Sequence, residues 1–413
     1  MIERESCVQP AYRLALQREQ GGDAMHGDQR ANEFDVRLGE VELRLASDPR
    51  MRPWDEVAAS ELLLARHAWV AAEDRVLIWP AGHGGLAILA AQRTRPGLVT
   101  ALDTNWAATN ACRGNLGRYG LEAVSVRCGL PDAELGAFEL VVMPLPKGRA
   151  TQRMYAAHAH AVLRPGGRLY VAGANDAGAK SAFRDLEGLF RPQGLLGYKG
   201  GHRAAAFARV EAVTLAGSYA EPGIAPGTWR AFAWEVAGRH YQARTTAGVF
   251  SWDHLDDGTR MLLEVVDIPA DARVLDLGCG WGAIGAYAAD RAREGAVTLV
   301  DVDALATRAA EATLHANRLG AAQVVLGDGA GAAGPGPYDL VLSNLPFHRG
   351  HGVDRQLADG LVQEAARVLA PRGRLIIVAN RFLRYEQVMS AVLANVRCLA
   401  NDNRYHVWVG EAR

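Results

Sequence analysis

The sequence predicts an α/β protein made of two tandem, doubly wound parallel sheets, and three observations predict it. From Arg75 onward, short apolar runs alternate with helical stretches, the grammar of a parallel sheet with helices on both faces. The same landmarks then recur at near-constant spacing. Arg273-Val274-Leu275-Asp276-Leu277 follows Arg75–Trp79 by 198 residues, and Asp301 follows Asp103 by 198. Tyr338–Leu342 with Leu345-Pro346 follows Phe138–Val142 with Leu145-Pro146 by 200, and Leu369–Leu375 follows Leu163–Leu169 by 206. Unrelated doubly wound domains share the order of their elements but not the intervals, so equal spacing argues for an internal duplication. The length of 413 residues, too long for one ordinary core, fits two domains.

Taken in order, residues 1–30 are polar, rich in Gly, Asp and Gln towards their end, and expected to be poorly ordered. Ala59–His67 has its apolar positions on one stripe and reads as a helix. Val76–Trp79 is a strand, followed by a turn containing Gly82, Gly84 and Gly85 and the helix Leu86–Gln92. Leu98–Asp103 and Phe138–Met143 are the next strands, and the turn Leu163–Gly167 leads into the strand Arg168–Ala172. The Pro/Gly stretch Glu221–Gly227 marks a boundary, giving a first domain over 31–215, a linker over 216–230 and a second domain over 231–413. Just beyond it, Ala231–Val236 and Tyr241–Thr246 form a hairpin around Ala237-Gly238-Arg239. Arg404–Val409 alternates and closes the edge of the second sheet.

Composition excludes several classes. The formal net charge of −1 carries no whole-chain nucleic-acid signature. The distribution is uneven, with 12 basic against 6 acidic residues over 151–250, a basic face for phosphates or simply a solvated surface. Cys7, Cys112, Cys128, Cys279 and Cys398 are scattered and odd in number, indicating neither a disulfide framework nor a metal site. No apolar run has the length of a membrane span, and the charged N-terminus has no signal-peptide core, so a reducing cytoplasm is expected.

Two stretches carry chemistry. The apolar run Tyr338–Leu342 delivers Ser343-Asn344-Leu345-Pro346-Phe347 to a strand's carboxyl end, where open α/β sheets bind ligands. An amide oxygen and a backbone carbonyl can both accept from a planar amine while the ring stacks on a flat base. Asp276-Leu277-Gly278-Cys279-Gly280-Trp281-Gly282 joins a strand to a helix, with glycines that let the backbone turn tightly and approach a ligand. Gly280 to Gly285 also fits a dinucleotide fingerprint, whose glycines take a pyrophosphate on the helix N-terminus. The carboxylate of Asp276 would repel a pyrophosphate and suits a cationic amino-acid end. S-adenosylmethionine has an ammonium, a sulfonium and no phosphate. Asp301 ends the next strand and suits ribose hydroxyls, the plainer reading being a helix N-cap. Asp328 can accept from an adenine amine, although Gly-Asp-Gly is also ordinary turn chemistry.

With these residues in place, the chain resembles the class I S-adenosylmethionine-dependent methyltransferases. It is similar to the bacterial ribosomal RNA guanine-N2 methyltransferases that carry two tandem methyltransferase-like domains. Ala59–Leu64, Gly248-Val249-Phe250-Ser251, Leu255-Asp256-Asp257-Gly258, Asn344–His348 and Val378–Leu383 share in the resemblance. It implies two Rossmann-like domains, the first a degenerate copy, and methyl transfer to the exocyclic N2 of a guanine in 16S rRNA. A sister group acts on 23S rRNA. Asn344, Leu345, Pro346 and Phe347 are then the catalytic group, with Asp276, Gly278, Gly280, Gly282, Asp301, Asp328, Phe250 and Asn344 at the cofactor. The family's acceptor motif is Asn-Pro-Pro-Phe; Leu345 gives up one proline's rigidity but keeps the carbonyl.

The first domain departs further: Ile78 stands for Asp276, Pro80 for Gly278, Pro144 for Asn344 and Lys147 for Phe347. It should be catalytically silent, with Lys147, Arg149, Arg153, Lys180, Arg184 and Arg203 as candidate contacts to RNA phosphates or as plain surface charges. The expected partner is ribosomal RNA or the assembled subunit, met by a monomer with no metal. The same acceptor group also occurs, by resemblance, in enzymes methylating adenine, cytosine or a glutamine amide. A non-catalytic RNA-binding assembly factor and a nicotinamide dehydrogenase are the competing classes.

Overall fold

The computed structural model describes residues 32–51, 53, 55–211, 214–345 and 352–413; the side chains of 133 and 352–358 are outside the description. The segment 1–30 and the motif residues Pro346, Phe347 and His348 therefore lie outside the described residues.

The first half runs β1 (Asn32–Leu38), β2 (Val41–Ser47), α1 (Ala59–His67), β3 (Val76–Ile78), α2 (Gly85–Ala91), β4 (Val99–Asp103), α3 (Trp106–Arg118), β5 (Ser125–Cys128), β6 (Phe138–Pro144), α4 (Arg149–Val162), β7 (Leu163–Ala174), α5 (Ala179–Leu186), β8 (Phe190–Lys199) and β9 (His202–Arg209). The second runs β10 (Arg230–Val236), β11 (Arg239–Thr245), α6 (Asp257–Val265), β12 (Arg273–Leu277), α7 (Ala283–Arg291), β13 (Ala296–Asp301), α8 (Ala304–Ala316), β14 (Gln323–Leu326), β15 (Tyr338–Asn344), α9 (Gly352–Val368), β16 (Leu369–Asn380), α10 (Tyr385–Val392), β17 (Ala394–Asn401) and β18 (Tyr405–Glu411).

Each half builds a seven-stranded sheet with one topology: β5-β4-β3-β6-β7-β9-β8 in the first and β14-β13-β12-β15-β16-β18-β17 in the second. The first five strands of each order are parallel, and β9 and β18 run antiparallel beside β7 and β16. The central strands are buried on both faces, which is why they read as continuous apolar runs.

The repeat starts earlier than the sequence landmarks. The hairpins β1–β2 and β10–β11 stand in front of the two sheets, 198 residues apart. In the second, Val236 pairs with Arg239 across Ala237 (φ 47°) and Gly238 (φ 70°), both left-handed as a tight primed turn requires. The stretch between the halves is not a free tether. Tyr219 and Ile224 are buried in a core cluster that takes residues from both halves, so 216–230 packs as part of the body.

A reciprocal contact joins the halves. The Trp106 N–H donates to Val302 O, and the Ala304 N–H to Thr104 O, both at 2.8 Å, with Asn105 bridged to Asp303. Thr104-Asn105-Trp106 and Val302-Asp303-Ala304 are copies of one segment at the 198-residue offset. Each copy bonds the other, the self-complementary geometry of a two-fold interface built within one chain.

Candidate active site

Three neighbouring strands end at one place. β12 lies between β13 and β15, so the carboxyl ends carrying Asp276, Asp301 and Asn344 sit side by side at the sheet's switch point. The glycine loop folds over them. Gly278, Gly280 and Gly282 have φ of 73°, 54° and 85°, a region that L side chains rarely adopt. A Cβ on Gly278 or Gly280 would meet nothing within 4 Å, whereas on Gly282 it would lie 3.0 Å from Ala310 Cα. The first two therefore leave an open cradle and the third lets α7 close on α8.

Asp276 is fully buried. Its Oδ2 accepts from the Gly285 N–H at 2.8 Å, while Oδ1 has no partner. Burial pushes its pKa up to about 8, helped by the nearby charge of Asp301 and opposed by the Gly285 bond. A buried carboxylate with an orphan oxygen calls for a cationic group. Asp301 accepts from the Gly280 N–H through Oδ2 and from the Asp303 N–H through Oδ1, both at 2.9 Å. Each oxygen keeps a lone pair for a hydroxyl. Asp301 thus fixes the glycine loop; α8 is capped instead by Asp303, which accepts from the Leu305 N–H.

Two further expected cofactor residues are Asp328 and Phe250. Asp328 is ion-paired with Arg50 of the first half, and Arg50 also reaches Glu364 at 3.3 Å, so one carboxylate oxygen is committed before any adenine arrives. Burial nonetheless pushes Asp328 up to about 7. Phe250 is 65% exposed. Its neighbour Ser251 ties that loop to the glycine loop, its carbonyl accepting from Trp281 Nε1 at 3.1 Å. Trp281 itself is a packing residue, edge-on to Phe232 and Trp234 of the hairpin.

Asn344 is held by two residues that sequence reasoning left without a role. Its Nδ2 donates to Asp256 Oδ2 and to Thr259 Oγ1, both at 2.8 Å. Asp256 is also the N-cap of α6, accepting from the Thr259 N–H at 2.9 Å. A carboxylate can only accept, so the amide nitrogen must face Asp256 and the oxygen must face away. The Asn344 Oδ1 is thereby left as an oriented acceptor at the strand end. Below it, the Ser343 hydroxyl donates to Leu277 O at 2.6 Å, and the Leu345 side chain is buried in the core. Asp256-x-x-Thr259 reads locally as a helix cap; its 88- and 85-residue separations from Asn344 hide the second duty.

The first half keeps part of this frame and loses the chemistry. Gly82 N–H still donates to Asp103 Oδ2 and Asn105 N–H to Oδ1, each at 3.0 Å, as in the second half. Its counterparts of Asp256, Thr259 and Asn344 are Ala58, Glu61 and Pro144, so the whole trio has changed together. Glu61 is buried with Oε2 unpartnered, and burial, then Asp103, pushes it up to about 8. Its folded pKa lies above its unfolded one, so its contribution to stability is present at low pH and is lost as pH rises from about 4.5 to about 8. Glu61→Gln removes a penalty on the order of a few kcal/mol. The melting-temperature gap between variant and wild type should therefore widen from pH 5 to pH 8.5; parallel curves would refute this.

The candidate phosphate contacts separate likewise. Arg149 and Arg153 are both engaged by Asp185, at 2.8–2.9 Å, and Arg203 donates to Asn175 at 2.6 Å and covers the Tyr198 ring. Those three guanidiniums already have partners within the protein. Lys147, Lys180 and Arg184 are exposed.

Comparison with known proteins follows the same division. Residues 240–409 match the Methyltransferase small domain, and 32–193 match the RLMG N-terminal domain. A Pseudomonas putida ribosomal RNA small subunit methyltransferase C is 35% identical over 272 residues, covering 66% of this chain and 79% of the relative. The chain belongs to the ribosomal RNA small subunit methyltransferase C family. Another member, from Pseudoalteromonas atlantica, is 32% identical over 280 residues, covering 66% of this chain and 77% of the relative. Among solved structures, the T. thermophilus 16S rRNA N2 methyltransferase (RsmC), in complex with AdoMet and guanosine, aligns with a TM-score of 0.75 and 28% identity. The alignment covers 93% of this chain and 99% of that one. The structural alignment thus extends over both halves.

Proposed function

We propose that the second half transfers a methyl group from S-adenosylmethionine to the exocyclic N2 of a guanine in 16S rRNA, working as a cytoplasmic monomer on the RNA or the assembled small subunit. The observation that carries this reading is the Asn344 amide, locked by Asp256 and Thr259 so that its oxygen faces outward beside the cofactor cradle.

The residues present fit the cofactor. The unpartnered Asp276 Oδ1 suits its ammonium, Asp301 its ribose hydroxyls, and the open backbone at Gly278 and Gly280 lets it approach. Phe250 and the remaining oxygen of Asp328 border the same site in this reading. When bound there, the cofactor supplies an electrophilic methyl on a positively charged sulfur.

The protein's task is then positioning and charge placement. The guanine amine is a poor nucleophile because its lone pair is delocalised into the ring. Asn344 Oδ1 and the Leu345 carbonyl each accept one of its N–H groups, favouring a pyramidal nitrogen with its lone pair free. With the cofactor bound, the amine nitrogen would take its methyl group, the C–S bonding pair would stay on sulfur, and the nitrogen's surplus proton would leave to water. The base must leave its own stack to enter; Pro346 and Phe347, which the resemblance sets beside Asn344, lie outside the described residues.

The test is label transfer from methyl-labelled donor to small-subunit rRNA and to small-subunit particles, with digestion to nucleosides. N2-methylguanosine, with one donor bound per chain, is the expected result. Label on another base or on protein, or two donors bound per chain, would overturn the reading.

A further inference from the structure

Beyond β16 the chain makes a short turn, Arg381-Phe382-Leu383-Arg384, before α10 begins at Tyr385. We infer that this turn is the RNA-docking platform of the active site: Phe382 stacks on a base flanking the target guanine, and Arg381 and Arg384 hold the adjoining phosphates. The inference rests on the rRNA reading above.

Position comes first. β16 pairs with β15 in parallel, Asn344 opposite Val378, so the turn leaves the same carboxyl edge from which Asn344 acts. It is anchored at both ends: the Leu383 N–H donates to Asn380 O at 2.9 Å, and the Arg381 N–H to Arg404 O at 2.8 Å. The backbone is thereby fixed, with Leu383 packed against the core and Arg381, Phe382 and Arg384 exposed.

Chemistry comes second. Phe382 is 57% exposed, and Arg381 and Arg384 are exposed, their guanidiniums with no hydrogen-bond or ion-pair partner among the described residues. One exposed ring by itself means little. An exposed ring set between two uncommitted guanidiniums is the combination that single-stranded nucleic acid uses, stacking for the base and charge for the backbone. The arginines of the first half contrast with this, since Arg149, Arg153 and Arg203 are spent on Asp185 and Asn175.

The internal copy supplies a control. β7 and β16 are both twelve residues long and 206 residues apart, as are the starts of α5 and α10. The equivalents of Arg381, Phe382 and Arg384 are therefore Asn175, Asp176 and Gly178. The half that has lost Asn344 to Pro144 has also lost the ring and both charges, and carries a carboxylate that would repel phosphate.

The experiment compares wild type with Phe382→Ala, Phe382→Tyr and the double variant Arg381→Ala/Arg384→Ala. Labelled donor is used with small-subunit rRNA across a salt series, and donor binding is measured separately by calorimetry. Phe382→Ala should raise KM for RNA roughly tenfold or more, and Phe382→Tyr should restore it, since stacking needs only the ring. The double variant should reduce the slope of log(kcat/KM) against log[salt] by roughly 1 to 2. Donor affinity and melting temperature should match wild type in all three. Wild-type KM and salt slope in the alanine variants, or a tyrosine variant as poor as the alanine one, would overturn the platform. A wild-type protein that labels no guanine would instead sink the parent reading, so the two failures are separable.

Discussion

Asn344→Ala is expected to lower kcat for methyl transfer by roughly 100-fold to 1000-fold, the usual loss when one preorganised group facing the reacting atoms is removed. Cofactor affinity should stay within a few-fold of wild type, because the Asn344 amide nitrogen is spent on Asp256 and Thr259 and the proposed role of its oxygen is toward the acceptor base. Asn344→Asp is the sharper variant. It keeps an acceptor oxygen but sets a carboxylate against Asp256, where an N–H now donates at 2.8 Å. The repulsion should turn the side chain away and cost as much activity as alanine. Thr259→Val removes one of the two acceptors that orient the amide and should give an intermediate loss. Single-turnover rates with saturating donor, beside calorimetric donor affinities, check the series. An Asn344→Ala protein that fails to bind donor would show that the residue belongs to the cofactor pocket instead.

Donor binding should release close to one proton at pH 6.5 and progressively less as the pH approaches 8.5. The reason lies in Asp276. Burial holds its pKa near 8 in the free protein, so the carboxyl is mostly protonated at neutral pH. An ammonium group beside the orphan Oδ1 favours the ionised form, and the proton must leave as the ligand enters. The sign follows: affinity rises with pH up to about 8, so long as the ligand's amine stays charged. Asp276→Asn keeps the shape and can still accept from the Gly285 N–H. It should abolish the proton release and weaken binding about 30-fold or more, the range seen when one partner of a buried charge pair is neutralised. Calorimetry in buffers of different ionisation enthalpy counts the protons directly. Equal proton release by wild type and Asp276→Asn would remove Asp276 from the ammonium site.

Much of the molecule is written locally. Strands buried on both faces must be continuous apolar runs, and a backbone at positive φ above an open cradle must be glycine, so β12, β15 and the loop Gly278–Gly282 could be read directly. The duplication was legible because insertions are few and the offsets survive. The first hairpin was not, since Asn32–Ser47 shares its fold and its apolar alternation with Arg230–Thr245 but few of its residues.

What the sequence alone determined is the set of strand-end groups, Asp276, Asp301 and Asn344, because in a doubly wound sheet the strand order delivers those positions to one edge. What only the tertiary structure decided is which polar groups are already satisfied. Asp256 and Thr259 meet Asn344 from more than 80 residues away, Arg50 crosses from the other half to Asp328, and Asp185 holds Arg149 and Arg153. Hydrogen bonds and ion pairs depend on separation in space rather than along the chain. Spacing can therefore propose a residue, but packing decides whether its charge or lone pair is still free for a ligand.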